Sequence, residues 1–176
     1  MAVIDVAGFV ADLKGHAVDH GFHVHDERHF VETYSLRQAW EVDLHLALEV
    51  DPRVLLSFED LVVDLPDESE PPDDYHFPIT FTWALPPLPS GPDLLQLHLD
   101  LAGVAGLDLP LEVSAIDSFP SATDAPERSL TIIARQRVSL ARILAGDELL
   151  CETLDRCLAV SQHLLAAAPG WLSEPG

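Results

Sequence analysis

LRQAWEVDLHLALEV, residues 36–50, is the stretch on which the fold class turns. Its even positions hold Leu36, Gln38, Trp40, Val42, Leu44, Leu46, Leu48 and Val50, and its odd positions hold Arg37, Ala39, Glu41, Asp43, His45, Ala47 and Glu49. Side chains of an extended chain alternate between two faces, so this period of two predicts a long strand with one buried and one wet face. The segment before it, around Phe22 to Tyr34, is the expected partner, because a short connection favours an antiparallel hairpin.

Residues 3–20 read as an amphipathic helix. Val3, Val6, Val10, Leu13 and Ala17 recur at helical spacing, Asp5, Asp12, His16 and Asp19 share the opposite face, and Gly21 is placed to end it. After the break at Asp51-Pro52-Arg53, residues 54–65 carry Val54, Leu55, Phe58, Leu61, Val62 and Leu65 on one helical face, and a helix is favoured over a strand there. PDESEPPDD, 66–74, is an acidic loop.

Three further runs read as strands. FPITFTWAL (77–85) alternates Phe77, Ile79, Phe81, Trp83 and Leu85, with Pro78 arguing for an edge position or a strand start. LLQLHLDLA (94–102) alternates Leu95, Leu97, Leu99 and Leu101 against Gln96, His98 and Asp100. LPLEVSAI (109–116) and SLTIIARQRV (129–138) complete the set, with Gly103 and Gly106 expected at a bend or bulge between strands. A closing helix over 148–168, capped by Asp147, is expected to stop at Pro169-Gly170. Trp40, Phe81 and Trp83 are candidate core aromatics, and Trp171 a terminal plug.

The expected fold is α+β. It is a mostly antiparallel sheet of five to seven strands with an N-terminal helix and a long C-terminal helix packed on it, in one domain over 1–176. The chain shows no internal repeat.

Charge is the abnormal feature of the composition. Thirty acids face nine basic residues, for a formal net charge of -21. No Lys or Arg lies between Arg53 and Arg128, whereas fifteen acids do. Such a field repels phosphate backbones and anionic headgroups, so nucleic acid and membrane surfaces are excluded as partners and a basic protein or peptide is favoured. Arg128, Arg135, Arg137 and Arg142 are expected to relieve self-repulsion by packing near acids. MAVIDVAGFVADLKG has acids where a secretory signal needs an apolar core, and no run of about 18 apolar residues offers a membrane span. Cys151 and Cys157 are six apart, about 600° around a helix, so they are expected as two reduced thiols of a cytoplasmic protein.

HGFHVHDERHF, residues 20–30, carries four of the nine histidines, with His16 just upstream. His16, His20, His23, His25 and His29 are the candidate ligands for zinc or another transition metal. His16 and His20 stand four apart on one side of a helix, yet Ala17 and Asp26 occupy the places where H-E-x-x-H needs its glutamate. The pair His23 and His25 lacks the following acid of a cupin site, since His29 and Phe30 stand there. Solvent-exposed imidazoles account for the same pattern. His16 can pair with Asp12 and Asp19, and a strand that buries Phe22 and Val24 leaves His23 and His25 outside.

No G-x-S-x-G, P-loop or G-x-G-x-x-G occurs. Cys151 and His163 are twelve residues apart on one helix, about 18 Å, too far for a nucleophile and its base.

The helix, sheet, helix order and the acidity resemble, as a physical type, small cytosolic secretion chaperones. The function expected is therefore a non-enzymatic protein-binding or chaperone-like module for a basic partner, with a homodimer admitted. The alternative is a small-ligand-binding protein or metal-assisted enzyme with a cavity between the sheet and the C-terminal helix, near the His16–His29 cluster.

Overall fold

A computed structural model describes residues 6–32, 37–45, 53–61, 76–89, 91–121, 125–139 and 149–172. In chain order the described residues form α1 (Val6–Asp19), β1 (His23–Glu32), β2 (Arg37–His45), β3 (Arg53–Leu61), β4 (His76–Ala84), α2 (Leu94–Ala105), β5 (Leu111–Ser118), β6 (Glu127–Ser139) and α3 (Leu149–Leu172). The strands make one antiparallel sheet in the order β1-β2-β3-β4-β6-β5. The class is α+β, with a helix at each end of the chain.

The alternation in β2 places Val42 and Leu44 in the core, and β1 pairs with it antiparallel as the short connection demands. Residues 46–50 of the expected strand lie outside the described residues. Ile79, Phe81 and Trp83 of β4 and Leu130, Ile132, Ala134 and Val138 of β6 continue the same face. Onto it pack Val10, Leu13 and Ala17 of α1, Leu97, Leu101 and Ala105 of α2, and Leu154, Cys157, Val160, Leu164 and Ala168 of α3, in one contiguous cluster. Polar tethers fix α3 to the sheet. Trp83 Nε1 donates to Ser161 Oγ at 2.8 Å, and Thr153 Oγ1 donates to Gln136 Oε1 at 3.0 Å.

Three expectations are corrected and one is narrowed. The helix favoured over 54–65 is strand β3 from Arg53 to Leu61, with the remainder outside the described residues. Val54, Leu56 and Phe58 also alternate, and in register they stand opposite Trp83, Phe81 and Ile79 of β4 and Leu44, Val42 and Trp40 of β2. Backbone pairing on both sides overrides a local helical spacing.

Pro78 does not mark an edge, because β4 lies between β3 and β6. It sits at the strand start, before the register with β3 begins at Ile79, where its missing N–H removes no ladder bond on that side.

The closing helix runs through Pro169 and Gly170 to Leu172. Pro169 forgoes one intrahelical bond, but Trp171 and Leu172 pack against the core and hold the last turn.

The third correction bears on function. Residues 94–105 are a helix, capped by Asp93, whose carboxylate accepts the Gln96 backbone N–H at 2.8 Å. Gly103 lies inside this helix, and Gly106 ends it with φ 79. Residues two apart on a helix are about 200° apart around the axis, so the alternating leucines divide between two sides. Leu97 and Leu101 go into the core, while Leu95 and Leu99 remain 69% and 57% exposed.

Candidate functional site

The five candidate histidines fall in separate places. His16 and His20, one turn apart on α1, face two residues one turn apart on α3. His16 Nδ1 lies 3.6 Å from Cys151 Sγ, and His20 Nδ1 pairs with Asp155 Oδ1. Matching spacing on two neighbouring helices stacks the contacts as successive rungs. The partner of Cys151 is therefore a histidine 135 residues away, not His163.

His23 and His25 lie on β1. His23 is in register with His45 of β2, and a bulge between Val24 and Asp26 brings the His25 ring over His45, with centroids 4.6 Å apart and planes inclined by 26°. His45 Nε2 is 3.3 Å from Asp43 Oδ1, whose residue is only 5% exposed. Stacked rings present their faces to each other, so their nitrogens do not converge on one point. His29, in register opposite Trp40, is exposed.

Asp26 and Glu27, the acids next to His25, are engaged. Glu27 binds Lys14 of α1. Asp26 accepts the Glu27 backbone N–H at 2.9 Å and Arg28 Nε at 3.3 Å, and these bonds, the backbone one foremost, hold its carboxyl below the usual range. Among the described residues no three His, Cys, Asp or Glu side chains form a group able to hold a metal ion.

A second polar feature joins β5, β6 and the turn before α2. Arg128 grips Asp117 through Nε at 2.7 Å and Nη2 at 3.0 Å, and its Nη1 donates to the Pro92 carbonyl at 3.4 Å. Gly91 makes room for this arm, since a Cβ there would lie 2.2 Å from Arg128 Cδ. The clasp draws the Asp117 carboxyl below its ordinary range and raises Arg128, chiefly through the side-chain hydrogen bond. A shallow hollow beside it is lined by Pro89, Phe119 and Pro126, and its two charged groups are spent on each other.

The helical spacing of His16 and His20 was legible, but Cys151 and Asp155 were missed as their partners, and so was His45, paired with Asp43, beneath the His25 ring. The available signal was Cys151 and Asp155 at the same four-residue spacing in the last helix. Compared with protein-family models, with curated proteins and with solved structures, the chain matches none. No helix among the described residues is long and apolar enough to cross a membrane.

The two thiols are both free and differ sharply in environment. Cys157 is fully buried, and burial pushes its thiol far up. Cys151 is half-buried at the α1–α3 seam. Titration of the native protein with a disulfide reagent is expected to modify one thiol per chain, with the second reacting only on unfolding. Two fast thiols in the native state contradict the placement of Cys157, and a Cys151→Ser variant identifies the reactive one.

Proposed function

We propose that this chain is a non-enzymatic, chaperone-like binding module that holds a basic protein or peptide. The observation that carries the reading is how the molecule spends its few cations. Lys14, Arg28, Arg128, Arg135 and Arg156 are each paired with an acid of the same chain: Glu27, Asp26, Asp117, Glu112 and Asp108 respectively. Five of the nine basic residues are thus already engaged, against thirty acids. The remaining excess of acid favours a cationic partner over nucleic acid or an anionic membrane. Two free thiols suit a cytoplasmic address.

The enzyme alternative calls for a cavity between the sheet and α3. Where those two layers meet, Phe81, Trp83, Leu154, Val160, Ser161 and Leu164 are fully buried, and the favoured reading needs no cavity there.

The test is fluorescence anisotropy with a labelled Lys- and Arg-rich peptide. Its affinity is expected to fall roughly tenfold or more between about 50 and about 300 mM salt, as screening shortens the reach of the field. Duplex DNA and anionic vesicles are expected not to bind. Tight binding of duplex DNA, or peptide binding indifferent to salt, refutes the reading.

A further inference from the structure

A helix that covers a sheet needs one apolar face, and α2 has two. Leu94, Leu97, Leu101, Val104 and Ala105 serve the first, against β5 and α3. Leu95, Leu99 and Gly103, four apart in turn, form a row on the opposite side, and Leu107 follows just past the C-cap at 99% exposed. The fold makes no use of this row. At Gly103 a Cβ would meet nothing within 4 Å, so the helix surface is open and bare of side chain between Leu99 and Leu107.

One flank of the row is acidic. Asp93, Gln96 and Asp100 share it at helical spacing, and Gln96 is held by both acids: Asp93 accepts its backbone N–H and Asp100 its side-chain amide, each at 2.8 Å. Among the described residues neither Asp93 nor Asp100 forms an ion pair, whereas Asp108, Glu112 and Asp117 nearby do. From Arg53 to Arg128 the chain supplies no Lys or Arg of its own.

We propose that this outer face of α2 docks an amphipathic helix of a basic partner, its apolar side on Leu95, Leu99 and Leu107 and its Lys or Arg residues against Asp93 and Asp100. The proposal deepens the reading of a basic partner and rests on it. Charge complementarity selects this occupant over a second copy of the chain, which would bring Asp93 and Asp100 against their own kind. The row from Leu95 to Gly103 spans roughly 12 Å, so a partner helix of about three turns covers it. The bare backbone at Gly103 lets the partner helix approach closely there.

The experiment uses the full chain and two labelled peptides of identical Leu and Lys composition, one patterned as an amphipathic helix and one scrambled. Anisotropy is expected to show the patterned peptide binding at least tenfold tighter than the scrambled one. The double variant Leu95→Gln/Leu99→Gln is expected to lose at least tenfold in affinity for the patterned peptide. Its circular dichroism and melting temperature should stay unchanged, since both side chains are exposed and glutamine is as good a helix former. Ile116→Gln, which removes an exposed apolar side chain of β5, is expected to bind as the parent does.

Undiminished binding by the double variant overturns the α2 surface and leaves the basic-partner reading standing. Failure of the parent to bind any basic peptide overturns both. Sedimentation showing a parent dimer that the double variant dissolves assigns the face to a second copy instead and overturns the proposal.

Discussion

Replacing Trp83 with alanine is expected to remove about 3–5 kcal/mol of unfolding free energy, the largest loss from any single substitution considered for this chain. Trp83 is fully buried on β4, in register between Val54 of β3 and Ile132 of β6. Its indole donates to Ser161 Oγ of α3, so one side chain fills the sheet–helix layer and fixes where the helix sits. Alanine leaves both a cavity and a buried hydroxyl without its donor. Ser161→Ala separates the two effects, because it leaves the indole in place and strands its N–H. That change is expected to cost about 1–3 kcal/mol, the range for stranding a buried polar group. Urea unfolding followed by circular dichroism gives both values, provided the slope with denaturant is the same in all variants. A Trp83→Ala loss below about 1 kcal/mol would show that α3 does not lie over β4 at this point.

How far the residues themselves foretold this arrangement depends on whether local pattern and tertiary pairing agree. In β2 they agree: the even positions that alternate as apolar include Val42 and Leu44, both buried. In β4 they agree again at Ile79, Phe81 and Trp83. At β3 they conflict, since Val54, Leu55, Phe58 and Leu61 fit a helix face while Val54, Leu56 and Phe58 fit a strand. Short apolar runs fit both periods, and only pairing with β2 and β4 decides between them.

The histidines show the same boundary. That His16 and His20 share one side of α1 follows from their spacing alone. That the side faces Cys151 and Asp155 follows from the packing of α1 on α3, which no window of sequence contains. The bulge that stacks His25 on His45 is likewise a property of the β1–β2 register. The acid excess, by contrast, was fully legible, and the structure adds how the scarce cations are spent.

The four alternating leucines of α2, at 95, 97, 99 and 101, give the second large effect, and they separate a helix from a strand by stability alone. Leu101 is fully buried and Leu97 is 3% exposed, so Leu101→Ala and Leu97→Ala are each expected to cost about 2–5 kcal/mol. Leu95→Ala and Leu99→Ala remove side chains already mostly in water. Alanine is also the better helix former, so these changes are expected to fall within about 0.5 kcal/mol of zero. A strand over 94–102 predicts a different result, because residues two apart then share a face and all four leucines would be buried together. Equilibrium denaturation of the four single variants is sufficient. Two large losses at 97 and 101 beside two near-zero values at 95 and 99 fit the helix, and four comparable losses fit only the strand. The same near-zero values matter for the docking face, because a leucine row that contributes nothing to folding can be altered without disturbing the fold. Any loss of peptide binding on changing Leu95 and Leu99 is then a loss of contact at the surface of α2.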